Sequence, residues 1–465
     1  MSSYHALARH VLAPAMDLVR GTHTMSCLRQ LEESQWWPRE RIEELQSERL
    51  QRLVGHAYAH VPYYRRLMDE RGIRPAEIRV AADLRKLPVL TRELVHDNFR
   101  ALMAQGFPRR LTWTATTGGS TGTPLLFHTT AEDRRTHGFA RSLRAFEFAD
   151  VALADKKMMV RLARSHHTAR DRFLHRISRP IERTIEMDAR EISLDTLPDI
   201  VTFLRRSGTR CLSGYPSAIS SIASWILESG SESPDLRAVV TGGEQLLRYQ
   251  RERIRDVFHV EPHSKYSCQE AFEIAMECKA HTGLHVATED LVVEVVDDEA
   301  DNLPPGSEGR ILVTNLHNYA MPFIRYENGD AGAFVAKACS CGRGLPLLSH
   351  VVGAKRDVIH TPSGRRVSGS NLGEDRLALL PVRQFQFIQE ELDHLVVFIV
   401  PRADAGQAEL EDMRRRIPPM FNEVVGDDVH VEVQFRERIE STPAGKYLAV
   451  VSKVDPDSWL KRATR

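Results

Sequence analysis

Four stretches carry side chains whose types and spacing suit work on a phosphate ester. The first is Thr116-Thr117-Gly118-Gly119-Ser120-Thr121-Gly122-Thr123-Pro124, where hydroxyls alternate with glycines that let backbone N–H groups come close to an anion. No Gly-Lys-Ser/Thr follows, so it is not a Walker loop, and the plain alternative is a surface turn. The second is Thr241-Gly242-Gly243-Glu244 after the apolar run Ala238 to Val240, at the carboxyl end of an expected strand, where open α/β sheets bind ligands. The third is Tyr266-Ser267-Cys268-Gln269-Glu270, and the fourth is Arg325-Tyr326-Glu327-Asn328-Gly329-Asp330, after a plausible strand. Glu270 offers hard oxygen of the kind Mg²⁺ takes, and Asp330 can accept from ribose hydroxyls; a solvated Glu beside a buried Tyr, and a capped turn, are the bland readings. Thr442-Pro443-Ala444-Gly445-Lys446-Tyr447 puts one lysine on a Gly-containing turn.

A separate chemistry is suggested by Cys278, His281, His285, Cys339 and Cys341. Cys339-Ser340-Cys341-Gly342 is a tight knuckle of two thiolates, and Cys278, His285, Cys339 and Cys341 together would close a tetrahedral, structural zinc site, with His281 the substitute ligand. Buried cysteines beside surface histidines are the alternative. Cys27, Cys211 and Cys268 are single thiols without an assigned role.

These residues need a scaffold. The chain has 465 residues with 63 basic and 63 acidic side chains, so it has no general field for nucleic acid or an anionic membrane, and phosphate must be held locally. No apolar run approaches the roughly 18 residues of a membrane span. The N-terminus lacks a convincing cleavage site, which reads as a cytoplasmic protein. After Pro38, apolar residues recur at helical spacing up to Val61-Pro62, with Tyr63 and Tyr64 as packing residues. From 110 to 330, short apolar runs (Leu125 to Phe127, Ala238 to Val240, Leu291 to Val296, Ile311 to Val313) alternate with helical stretches such as Pro216 to Leu227, the pattern of α/β layers. Beyond 358 the scale shrinks: a strand at Glu391 to Val400, a helix from Gln407 stopped by Pro418-Pro419, and an alternating strand at Val429 to Phe435. The expected architecture is α/β, with a large multi-layer N-terminal domain (1–353, zinc knuckle within 278–341) and a small mobile α+β C-terminal lid (354–465).

In order and spacing these segments resemble the adenylate-forming superfamily, and most closely the phenylacetate–CoA ligase family, over nearly the whole chain. The Val61-Pro62-Tyr63-Tyr64-Arg65 segment resembles the branch encoded in capsular-polysaccharide clusters. The resemblance implies that Thr117, Gly118, Gly119, Ser120, Thr121, Gly122 and Thr123 wrap the ATP phosphates. Gly243 and Glu244 then border the adenine, Tyr266 lies against the nucleotide, Glu270 helps hold Mg²⁺, and Asp330 binds the ribose. Lys446 becomes the catalytic lysine, and Gly214 to Ser217 line the acyl pocket. One departure is Gly353-Ala354 where the family has Gly-Arg; Lys355 and Arg356 lie further along.

The implied reaction joins a small carboxylate, an aryl acid among the options, to the ATP α-phosphorus, releases pyrophosphate, and after a lid rotation near Asp357 passes the acyl group to an acceptor. CoA is the first choice, with Lys355, Arg356, Arg365 and Arg366 available to its charged end; an amine or alcohol in polysaccharide or natural-product assembly is the runner-up. Only 19 residues follow Lys446 in the 465-residue chain, so the acceptor is expected to arrive in trans. A non-catalytic nucleotide- or zinc-binding relic is a rival of another class, disfavoured by the joint presence of Glu270, Asp330 and Lys446. A phosphotransferase is disfavoured by the missing Walker loop. Oligomeric state is open, with a homodimer as one option.

Overall fold

The computed structural model describes residues 3–108, 111–116, 125–161, 178, 181–193, 195–352, 358–363, 366–368, 372, 377, 380–402, 405–440 and 447–454. An eleven-stranded sheet forms its centre. One half is parallel, running Thr184–Asp188, Lys157–Arg161, Cys211–Gly214, Ala238–Gly242, His263–Cys268 in spatial order. Parallel strands need crossovers. Here the helices Leu197–Ser207, Pro216–Ser229 and Arg248–Phe258 bury Leu204, Ile219, Ile222 and Ile254 against Met158, Val160, Leu212 and Val239. The other half turns antiparallel at Phe272–Glu277 and continues through Leu284–Val286, Leu347–Val352, Tyr326–Phe334, Gly309–Asn315 and Leu291–Val296. The switch from parallel to antiparallel pairing falls at the strand that ends with Tyr266 to Cys268.

An N-terminal helical layer, chiefly Thr24–Ser34 and Arg39–His60, is fixed to this sheet by charge as well as by apolar packing. Asp290 is fully buried and takes Arg49, Arg141 (3.2 Å) and His317 (2.9 Å). Burial alone would raise its pKa, but His317 and His137, both bonded to it, hold it well below the usual carboxylate range. His137 and His317 stack with centroids 3.3 Å apart and differ in charge: burial pulls both down, yet Asp290 carries His137 up to about 11 while His317 falls to about 4. Glu289 does the same service for Arg144 and Ser34. Charges this deep are tolerated because each is paired. Cys27 lies beside His137 at 3.4 Å, and although Cys27, His137 and Asp290 converge, the two guanidiniums on Asp290 already supply the positive charge a cation would bring.

The small C-terminal unit is a four-stranded sheet in the order His430–Phe435, His394–Pro401, Val382–Glu391, Val450–Ser452, backed by the helix Gln407–Val425. Two sequence expectations change here. The strand expected at Glu391 to Val400 is the second arm of a hairpin, His394–Pro401, and Val382–Glu391 is its unforeseen partner. The helix expected to stop at Pro418-Pro419 runs through both to Val425. Two interior prolines cost about 3 kcal/mol each. Met413, Ile417, Phe421 and Val425, one turn apart and fully buried, return about 1.5–3 kcal/mol each, so packing wins. Pro38 caps the N-terminus of the helix Arg39–His60, and Tyr63 and Tyr64 are buried, with the Tyr64 hydroxyl donating to the Pro322 carbonyl.

Candidate active site

The carboxyl ends of the central parallel strands bring the sequence-selected residues together. Gly242 pairs with Lys265 across neighbouring strands, so the turn Gly243-Glu244 emerges beside Tyr266. Gly243 has φ of +83°, and a Cβ there would stand 2.8 Å from the Tyr215 ring, so only glycine lets Tyr215 pack against this turn. Tyr266 is buried; its hydroxyl donates to Asp330 Oδ2 at 2.8 Å, and Asn328 Nδ2 donates to both Tyr266 and Asp330. Burial, and then the Asp330 charge, push the Tyr266 phenol well above its ordinary value, so it stays a neutral donor that fixes Asp330. Asp330 sits inside the strand Tyr326–Phe334 rather than after one; Gly329, at φ of +89°, lies in a stretch where pairing with Gly309–Asn315 shifts register. That irregularity re-aims a side chain, as bulges beside sites do.

Glu270, in the turn after His263–Cys268, is 9 % exposed and accepts at Oε1 from the Tyr326 hydroxyl at 2.9 Å. Its backbone carbonyl takes Asn315 Nδ2, which also donates to Asp133 at 2.9 Å. Glu270 is therefore held from two strands, its carboxylate by Tyr326 and its backbone by Asn315, and an oriented hard oxygen fits the Mg²⁺ role. Arg134 is a residue the sequence reading passed over. It donates to Gln269 Oε1 at 3.2 Å and stacks 4.6 Å from the Phe272 ring, placing a guanidinium next to Glu270. Its helical segment begins at Glu132, just after the strand Leu126–Thr130 on the far side of the hydroxyl-rich loop, the only local clue.

The loop residues Thr117 to Thr123 lie outside the described residues; the strands Thr112–Thr116 and Leu126–Thr130 that flank them form an antiparallel hairpin. Lys446, Gly353, Ala354, Lys355, Arg356, Asp357 and Arg365 likewise lie outside them. Tyr447, next in sequence to Lys446, is described: its N–H donates to Glu244 Oε1 at 2.6 Å, and the other oxygen takes Ser217 N–H at 3.2 Å. Glu244 therefore meets the small C-terminal unit directly, a contact no local sequence signal carries.

Along the antiparallel half, Cys278, His285, Cys339 and Cys341 converge, their ligand atoms all within 4.8 Å of one another. Cys278 Sγ lies 3.6 Å from Cys339 Sγ, and Cys341 Sγ 3.3 Å from His285 Nε2. Burial lowers His285 to about 4, leaving the neutral, ligating imidazole. Burial and the adjacent thiols push Cys278 up to about 12, whereas at Cys339 burial is outweighed by bonds from Thr282 and Cys341, which hold it below the ordinary thiol value. His281 is elsewhere: it occupies a left-handed turn at φ of +48° and its Nδ1 faces Glu277 at 3.3 Å. His285 belongs to Leu284–Val286 and pairs with Leu347, which aims it at the knuckle. The donor set, three thiols and one imidazole with only Cys341 half-buried, fits zinc.

Among known proteins, residues 359–453 match the CapK C-terminal domain family. The phenylacetate-coenzyme A ligase of Thermus thermophilus is 28% identical over 338 residues, covering 69% of this chain and 72% of that one. Protein CapK of Staphylococcus aureus is 20% identical over 433 residues, covering 88% and 89%. Among solved structures, a 2-hydroxyisobutyryl-CoA ligase in its postadenylation state, bound to an acyl-AMP, superposes with a TM-score of 0.75 at 19% identity, covering 93% of this chain and 94% of that one. No helix among the described residues is long and apolar enough to cross a membrane.

Proposed function

We infer that this chain, a relative of the phenylacetate–CoA ligases within the adenylate-forming superfamily, is an AMP-forming carboxylate ligase. The observation that carries the reading is the joint placement of Glu244, Tyr266 and Glu270 at the carboxyl ends of the parallel strands, with Asp330 brought to Tyr266 from the antiparallel half and the small unit docked on Glu244 one residue from Lys446. Asp330, oriented by Tyr266 and Asn328, holds the ribose. Glu270 would hold Mg²⁺, which when bound neutralises the departing pyrophosphate. The carboxylate of the acid substrate attacks the α-phosphorus; the P–O bond to pyrophosphate breaks, and Lys446 stabilises the negative charge that accumulates on the phosphoryl oxygens. The acyl carbon is then attacked by an acceptor and AMP leaves. CoA is the acceptor favoured here, since relatives and structural neighbours are CoA ligases by name. The CapK match at 359–453 favours a second reading, in which an amine or alcohol of polysaccharide assembly takes the acyl group. Cys278, His285, Cys339 and Cys341 would hold a structural zinc.

The deciding experiment is ATP–pyrophosphate exchange across a panel of small aliphatic and aryl carboxylic acids. Acid-dependent exchange with AMP as the nucleotide product is expected; binding of ATP without exchange for any acid, or release of ADP, overturns the reading. With the active acid in hand, mass spectrometry of a reaction containing CoA is expected to show the thioester. Acyl-AMP that persists beside CoA would remove CoA and promote the amine or alcohol. Asp330→Ala is expected to weaken ATP binding roughly 10- to 100-fold by calorimetry, the scale of a lost hydrogen bond to a charged group. Tyr266→Phe should cost less, because it loosens Asp330 without removing it. Unchanged affinity and rate in Asp330→Ala would refute the ribose assignment.

A further inference from the structure

The segment that follows the strand Ala238–Gly242 faces two ways. At its start Gly243 and Glu244 border the nucleotide end of the sheet. A few residues on, Leu247 and Tyr249 are buried in the apolar core of the small C-terminal unit, with the Tyr249 ring 5.2 Å from Phe385. Arg253 then bonds Ser224 Oγ at 2.8 Å in its own domain and reaches the Arg383 carbonyl at 3.4 Å in the other. One stretch of chain is thus both a wall of the site and the platform on which the lid sits. Glu244 lies where these roles meet. Its two oxygens are divided between Ser217, at the start of the helix Pro216–Ser229, and Tyr447 on the lid. A carboxylate that accepts from one backbone N–H in each domain fixes their relative position, and such charge-assisted bonds are short and strong.

We propose that Glu244 is a positioning residue for the first half-reaction: it registers the lid, through the backbone at Tyr447, against the Ser217 end of the acyl pocket. The proposal rests on the ligase reading above. Rotation of the lid for acyl transfer must break the Tyr447 bond while the Ser217 bond survives, so Glu244 biases the protein toward the adenylating arrangement. The carboxylate is needed for this: an amide in its place offers a single acceptor oxygen and turns an N–H₂ donor toward the second N–H.

The test uses the full chain and two variants, Glu244→Ala and Glu244→Gln. Amide exchange followed by mass spectrometry in a peptide that starts several residues before Tyr447, so that its N–H is retained, is expected to accelerate roughly 10- to 100-fold in Glu244→Ala and by less in Glu244→Gln. Peptides from Gln407–Val425 should keep their protection and thereby report an intact lid. With an acid active in the exchange panel, kcat for adenylation should fall about tenfold at an unchanged KM for ATP, while acyl transfer from preformed acyl-AMP is not slowed. Unchanged amide exchange at Tyr447 in both variants overturns the proposal. So does a raised KM for ATP at constant kcat, which would make Glu244 an adenine contact only. If no acid supports exchange in the wild-type chain, the ligase reading fails by itself, and the amide-exchange comparison still decides whether Glu244 holds the lid.

Discussion

Lys446→Ala is expected to lower acid-dependent ATP–pyrophosphate exchange by about two to three decades, the cost typical of deleting one positioned electrostatic donor. The reason lies in where charge appears. Attack on the α-phosphorus draws negative charge onto oxygens that water can no longer reach once the lid is seated, and a cation there acts on the transition state far more than on bound ATP. KM for ATP and the melting temperature should therefore stay near wild type while kcat collapses. The Tyr447 N–H that docks on Glu244 belongs to the backbone, so the alanine variant keeps this contact and loses only the charge. Lys446→Arg should recover little, because a planar fork does not place its charge where a compact ammonium does. Acyl transfer from preformed acyl-AMP should be spared, since no charge develops at phosphorus in that step in the same way. An exchange rate in Lys446→Ala equal to wild type would remove the lysine from the mechanism.

Much of this site could be read from local sequence because its parts are short and carry their own geometry. Apolar runs such as Ala238 to Val240 end in Gly-Gly-Glu, and the turn lies where the parallel sheet leaves it. Cys339-Ser340-Cys341 is a knuckle at two-residue spacing. What escaped the sequence depends on partners far apart in the chain. Val382–Glu391 reads as polar because Arg383, Gln384, Gln386 and Gln389 interrupt it, and only its pairing with His394–Pro401 and Val450–Ser452 makes it a central strand. Arg49, Arg141, Arg144, Glu289 and Asp290 look like surface charge in isolation, yet they are buried together. The choice between His281 and His285 turned on strand register and one left-handed turn. The Glu244 bond to Tyr447 spans 203 positions, beyond any local pattern.

Removal of a zinc ligand is the other large expected effect. Cys339→Ser, Cys341→Ser and His285→Ala should each abolish tightly bound zinc, measured as one per chain in wild-type protein purified without chelator. Each should also lower the melting temperature, at about 2–4 °C per kcal/mol lost for a unit of this size, because binding energy in a closed site is folding energy. The knuckle gives that energy a specific path. Just past Cys341, Arg343 bonds the Gln35 side chain at 2.8 Å and lies over the rings of Trp36 and Phe148. Gly344 donates to the Gln35 carbonyl at 2.9 Å, so close to Trp37 that a Cβ would meet its carbonyl oxygen at 2.0 Å. The tetrad thus clamps the N-terminal helical layer onto the antiparallel half of the sheet, and its loss should first expose residues 35–37 to amide exchange. Activity should decline only as the protein unfolds, since the tetrad touches none of Glu244, Tyr266, Glu270 or Asp330. His281→Ala should retain the metal, for its imidazole is spent on Glu277. Zinc-free wild-type protein would reject the site, and a His281→Ala variant that loses zinc while His285→Ala keeps it would reject this ligand set.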